Sequence, residues 1–364
     1  MLSFWTIRQI IWIMAMMSLF CIFALWLGLR SSSPPILAYV HQVNPEVGQI
    51  YLVDASHGIS LQLTQHPTQH LLPTWSPDGD YLLFVMGGDF NARTGQFASI
   101  RIIQMNMQTY KRYPLTDNRG LLSENMPSWS LNGRVAYAVF DFGWDIAIIR
   151  PNTSQTRLIS TLSQGVNTDL SEHTPRWSED GTQLAYLVGG QYFSELMIAD
   201  ANGNNSRPLT TGMRIYQGQY DWSPTGTHIV FTSERDGNRE IYSVNVSNGA
   251  LINLSRNPAH DSMPQWSPDG SQIAFISERS VPSELFMMSP DGRNVRQITS
   301  DGHYVSYIAW SPDGEWLAYS SDKGASSISI TRDIFIISAE GKNSRRLTFS
   351  VSDEYSPVWK PQEK

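Results

Sequence analysis

Residues 263–299 read MPQWSPDGSQIAFISERSVPSELFMMSPDGRNVRQIT. Four strand-like runs alternate here with turn chemistry. The first, 263–266, runs into Ser267-Pro268-Asp269-Gly270, where Pro presets φ and Gly accepts the positive φ that closes the turn. The second, 272–277, is apolar on both faces: Ile273 and Phe275 point one way, Ala274 and Ile276 the other. A strand apolar on both faces suits a sheet packed between two neighbours. A third run at 284–289, a turn at Pro290-Asp291-Gly292 and a fourth run at 295–299 complete the unit.

The unit recurs. Trp75, Trp129, Trp177, Trp222, Trp266, Trp310 and Trp359 follow one another at gaps of 54, 48, 45, 44, 44 and 49 residues. Trp75, Trp222, Trp266 and Trp310 open W-S-P-x-G, Trp177 opens W-S-E-D-G and Trp129 opens W-S-L-N-G. A period in the mid-forties filled with short strands predicts a β-propeller. Ahead of Trp75, the runs 36–40, 49–54 and 61–64 look like second, third and fourth strands without a first. At the other end, 356–359 looks like a first strand without followers. Joined, the fragments make one blade, and such closure removes open sheet edges. The expectation is an all-β, seven-bladed β-propeller over residues 36–364, with a six-bladed ring and one decayed repeat as the alternative. The tryptophans are its structural repeat, packed between blades.

These repeats resemble the TolB-like β-propeller repeat, in which a W-S-P-D-G turn follows the innermost strand. The resemblance covers nearly everything after residue 35. The repeat at Trp129 departs most, with Leu131-Asn132 where the pattern has Pro-Asp. TolB carries an α/β domain ahead of its propeller. Here the repeats begin directly after residue 35, so the expectation is a TolB-like protein without that N-terminal domain.

Residues 9–29 carry no charge and are mostly apolar. As a helix at ~1.5 Å per residue they would span roughly 30 Å, a bilayer core. Trp5 and Trp26 sit where aromatic rings favour the interface. The run is longer than a secretory signal's, and Leu27-Gly28-Leu29-Arg30 is a poor cleavage site. The expectation is therefore an N-terminal signal anchor, one transmembrane helix in residues 1–30, followed by a linker at 31–35. It places the propeller on the extracytoplasmic side of the cell membrane as a single-pass protein, periplasmic in a bacterial envelope. Cys21, the only cysteine, lies inside this run, so the propeller has no disulfide.

Arg8 and Arg30 are the only charged residues before position 46, which leaves 24 Lys/Arg against 33 Asp/Glu in the rest. That acidic balance argues against nucleic-acid binding. The sequence contains no Gly-x-Ser-x-Gly elbow, glycine-rich phosphate loop, HExxH or CxxC.

Aligning the repeats on their tryptophans exposes two polar columns. Five residues before each Trp stand His70, Glu124, Glu172, Gln217, Asp261, Val305 and Glu354, with His173 and His260 adjacent. Loops entering innermost strands converge on one mouth of a propeller's channel. Carboxylates and imidazoles there could hold a divalent cation or basic peptide groups, or could cap the loops through backbone amides. The second column is Asp145, Glu195, Glu240, Glu284 and Asp333 at the third strands, read as local turn and ion-pair chemistry. The reading is a non-enzymatic propeller that binds a protein or peptide of the cell envelope through His70, Glu124, Glu172, His173, Gln217, His260, Asp261 and Glu354, with no cofactor. The alternative is a polysaccharide lyase or hydrolase with a metal at the channel mouth. Some oligogalacturonate lyases share this repeat type and use a His-rich metal site, but the histidines here are too scattered to carry that over.

Overall fold

The computed structural model describes residues 35–44, 46–65, 68–87, 90–91, 96–97, 100–116, 123–140, 144–151, 156–158, 171–189, 194–323 and 331–362. The chain divides into two compact units, residues 1–35 and 36–364, and every strand lies in the second.

Among the described residues, seven four-stranded antiparallel blades follow one another along the chain, five as separate sheets and two within one eight-stranded sheet. Blade 1 combines Ile36–Asn44, Val47–Asp54 and Ser60–Gln62 with the C-terminal strand Glu354–Trp359, which pairs with Ile36–Asn44. Blades 2 to 7 begin at the inner strands His70–Trp75, Ser123–Trp129, Ser171–Trp177, Ile215–Trp222, Asp261–Trp266 and Val305–Trp310. Blades 4 and 5 are joined into one continuous sheet through the pair Ser194 and Ile215. The count is seven, not six. The long segment after the second strand of blade 2 carries a small hairpin, Phe90–Asn91 against Gln96–Phe97.

Seven apolar clusters hold these sheets, and each joins two consecutive blades. Ile273 and Phe275 pack with Val230 and Ile241 of blade 5, whereas Ala274 and Ile276 pack with Leu317 and Tyr319 of blade 7. The last cluster sets Leu37, Tyr39 and Val53 of blade 1 against Ala318, Ile334 and Ile336 of blade 7, and so closes the ring. The inner strands touch in the same cyclic order.

The tryptophans sit at these junctions. Trp75, Trp177, Trp222 and Trp359 are buried, and Trp129, Trp266 and Trp310 are half-buried. Four indoles donate Nε1–H to the carbonyl just before the preceding blade's tryptophan. The pairs are Trp75 to Val358 at 3.3 Å, Trp222 to Arg176 at 3.0 Å, Trp310 to Gln265 at 3.4 Å and Trp359 to Ala309 at 3.0 Å. On the outside, Arg345 donates to the carbonyls of Ala55 and Ser56 across the closing junction, and Arg346 pairs with Asp333 at 2.6 Å. Arg345 thus helps close the ring, while the Arg346 pair stays within blade 7.

The expected N-terminal transmembrane helix is corrected. The described residues form strands and turns only, and no helix among them is long and apolar enough to cross a membrane. Their apolar runs sit in strands of at most nine residues, too short to cross a bilayer core as a helix. Residues 1–34, on which that expectation rested, lie outside the described residues.

Candidate functional site

An inner strand has its second strand on one edge and a neighbouring blade on each face. Only its unpaired edge, turned to the ring axis, stays open. Side chains exposed there face the channel.

Each inner strand carries one irregularity at the same place. The register slips between Leu71 and Thr74, Asn125 and Ser128, His173 and Arg176, Ile215 and Tyr220, Ser262 and Gln265, and Ser306 and Ala309. The C-terminal strand slips likewise against Ala38 and Val40. The bulged residue adopts positive φ: Leu72 at 51°, Met126 at 52°, Thr174 at 53°, Gly218 at 71°, Met263 at 54°, Tyr307 at 50° and Ser356 at 53°. Six of these seven are not glycine, so the ring holds them in a conformation that L-residues avoid. Leu72 and Tyr307 are the most open, at 39% and 38% exposure. With half-buried Met126 they give the axis an apolar collar, whereas Met263 packs on the core between blades 6 and 7. The sequence reading missed this collar. Its signal was the proline after five of the bulged residues, at Pro73, Pro127, Pro175, Pro264 and Pro357; proline in a sheet marks an edge or a bulge.

The polar column lies one or two residues earlier, inside the strands rather than in the loops before them. His70, Glu124, Glu172, Asp261 and Glu354 are all buried, as is Val305. Glu124 reaches back to blade 2, where it accepts the Ile102 amide at 3.4 Å and the Thr116 hydroxyl. Glu172 approaches Asp145 and the Ile146 amide of blade 3. Burial, with Asp145 adding to it, pushes its carboxyl up to about 8. Glu354 accepts from His41 Nδ1 at 3.1 Å, and burial raises its carboxyl as well. Asp261 pairs with Arg279 at 2.9 Å, and Arg279 also donates to the Ser255 carbonyl of blade 5 at 3.2 Å. Glu124, Glu172 and, through Arg279, Asp261 rivet one blade to the one before it, whereas the Glu354–His41 pair lies within blade 1.

The remaining members are dispersed. The His70 ring lies 5.5 Å from that of Phe84. His173 bonds to Ser194 Oγ at 3.1 Å and to Thr174 Oγ1 at 2.8 Å, and burial lowers its pKa to about 4. His260 Nδ1 accepts the Arg239 amide at 3.0 Å. Gln217 lies within Ile215–Trp222. Among the described residues, no group of three or more His, Cys, Asp or Glu could hold a metal ion.

The second acidic column forms a repeated clamp. Thr210 Oγ1 donates to Glu195 at 2.6 Å and accepts the Leu196 amide at 2.9 Å, while Glu195 accepts the Met213 amide at 2.8 Å. Ser255 with Glu240, Thr299 with Glu284, Thr348 with Asp333 and Thr64 with Gln49 repeat it. In blade 2 the position is Arg101, and Glu124 of the next blade takes over the threonine and the amide. The acid thus ties the third strand to the end of the fourth.

Comparison with known proteins gives this ring its family. The profile described as TolB beta propeller domain matches residues 161–364, more than half of the chain. The chain belongs to the TolB β-propeller family. A protein TolB homolog of Chlorobium luteolum is 30% identical over 197 residues, covering 54% of this chain and 41% of that protein. An uncharacterized protein of Agrobacterium fabrum is 25% identical over 201 residues, covering 55% and 63%. The chain thus spans less than two thirds of either curated relative. Among solved structures, TolB from Acinetobacter baumannii superposes with TM-score 0.55 at 18% identity, covering 93% of this chain and 70% of that one. A puromycin hydrolase gives TM-score 0.67 at 15% identity over 88% and 54%. An oligogalacturonate lyase in complex with manganese gives 0.59 at 16% over 76% and 80%. At these identities the likeness shows the fold alone.

Proposed function

We propose that this chain is a non-enzymatic binding propeller of a bacterial envelope, working on the extracytoplasmic side and engaging a protein or peptide segment at the channel mouth. The observation that carries this reading is the ring of bulges. Six non-glycine residues are held at positive φ along the axis-facing edges. Strained backbone of this kind collects where a surface must present side chains in a set geometry. Leu72, Met126 and Tyr307 supply apolar contacts to the occupant, and a methionine adapts to varied partners. The buried carboxylates Glu124, Glu172 and Asp261 hold together blades that carry this collar, and Glu354 braces blade 1 internally. Support also comes from the TolB family membership and from the lack of cysteine after Cys21, which suits an envelope protein without disulfides.

Affinity purification from envelope fractions tests it. Leu72→Asp and Tyr307→Asp change open side chains and spare the rivets. Loss of the captured partner from both variants supports the reading, and an unchanged set of partners contradicts it.

A further inference from the structure

On the face opposite the polar column, the turns after the inner strands stack around the ring. A Cβ added to Gly270 would meet Pro224 at 3.6 Å, one on Gly314 would meet Pro268 at 3.7 Å, and one on Gly181 would meet Asn132 at 3.0 Å. At Gly133 of blade 3 it would meet nothing within 4 Å. The blade 3 turn is one residue shorter than the others. Ser130 N bonds to Arg134 O, four residues on, whereas Ser76, Ser178, Ser223, Ser267 and Ser311 bond five residues on. The shorter loop, with Leu131-Asn132 for Pro-Asp, stands off from blade 2. A cleft of about 620 Å³ opens there, walled by Pro77, Tyr81, Trp129, Leu131 and Pro151. That volume is in the range of ligand sites.

Gln104 also lines this cleft, and it is the polar residue out of place. It is 6% exposed, and its amide makes no hydrogen bond. The matching third-strand positions, set by pairing with Ala38, Ala136, Ala185, Ala274 and Ala318, hold Leu52, Ile148, Ile198, Met287 and Ile336; only blade 5 has another polar residue there, Ser243. Its donor and acceptor are not sealed in the core; they open on the cleft, where no protein group takes them. They face an aromatic- and proline-walled space. A carboxamide offers a donor and an acceptor, the complement of a peptide group. Extended polyproline-type segments leave every backbone group unpaired and dock on such walls. Asp78 is the one charged residue in the lining, so the cleft favours a basic side chain.

The geometry points to a second binding site at the junction of blades 2 and 3, one that takes an extended, proline-containing peptide with a basic residue, its backbone read by Gln104 and its basic side chain by Asp78. The site is independent of the channel mouth. Panning a phage-displayed random dodecapeptide library on the full chain, followed by calorimetric titration of a synthetic winning peptide, tests it. Winners should contain proline with Lys or Arg. Gln104→Leu, which installs the residue type of the other blades, should keep or raise the melting temperature and weaken the peptide roughly tenfold or more. Tyr307→Asp should leave the peptide's affinity unchanged, which separates this site from the mouth. A Gln104→Leu protein that binds the peptide as tightly, or a library that yields no such peptide, overturns the assignment.

Discussion

Arg279 Nη2 lies 2.9 Å from Asp261 Oδ2, and Asp261 has no exposed surface at all. The same guanidinium lies over Phe275 and Phe286 and donates to the blade 5 carbonyl of Ser255. One arginine therefore neutralises a buried acid, covers two core rings and links two blades. Arg279→Met strips a charge partner from a carboxylate whose second oxygen already lacks one. The expected loss is about 3–5 kcal/mol in urea denaturation. Asp261→Asn, which removes the buried charge, should cost less than Arg279→Met.

The clamp makes a separate prediction. Thr210→Val keeps the shape but deletes the donor to Glu195 and the acceptor for the Leu196 amide. A cost of about 1–3 kcal/mol follows from leaving buried groups unsatisfied. Thr299→Val should behave alike in blade 6, where the same bonds recur. Denaturation midpoints that do not move in either variant would contradict the clamp.

Glu172 and His173 have opposite pH signatures. The Glu172 carboxyl rises from 4.5 to about 8 on folding, so its stabilising share is whole below pH 4.5 and is lost as pH climbs through 8. His173 falls from 6.5 to about 4, so its share is whole above pH 6.5 and is lost as pH drops through 4. Between pH 4.5 and 6.5 the two slopes oppose; from 6.5 to 8 only the Glu172 decline remains. The stability difference between the wild type and Glu172→Gln should therefore shift in favour of the variant as pH rises from about 6.5 to 8. A difference that stays flat across that window contradicts the burial of an ionisable Glu172.

Removing the tryptophan link should also be measurable. Trp222→Ala deletes a buried indole and its bond to the Arg176 carbonyl. About 3–5 kcal/mol is expected, read from chemical denaturation. Trp222→Phe should recover most of the packing and lose chiefly the hydrogen bond.

The turns were legible because their chemistry is local: Ser267-Pro268-Asp269-Gly270 sets its own φ angles, and Gly270 has φ 71°. Burial on both faces was legible in Ile273 to Ile276, and the split blade in the unmatched runs at the two ends. The bulges were not. Nothing in leucine, methionine or tyrosine asks for positive φ; the ring imposes it on Leu72, Met126 and Tyr307 through packing. The carboxylate column was visible as a column, yet its geometry depends on which neighbouring-blade amide each acid meets, and that is long-range information. Gln104 drew no attention in the sequence, since one polar residue in a strand is ordinary until the six equivalent positions are superposed.

The central claim is that the axis-facing collar, not the outer rim, meets the partner. Site-specific photocrosslinking in living cells addresses it most directly, with benzoylphenylalanine placed in turn at Leu72, at Tyr307 and at Tyr113, which is 55% exposed on the outer strand Arg112–Pro114. The account predicts one protein adduct common to positions 72 and 307 and absent at 113. Adducts at 113 with none at 72 or 307 would contradict it.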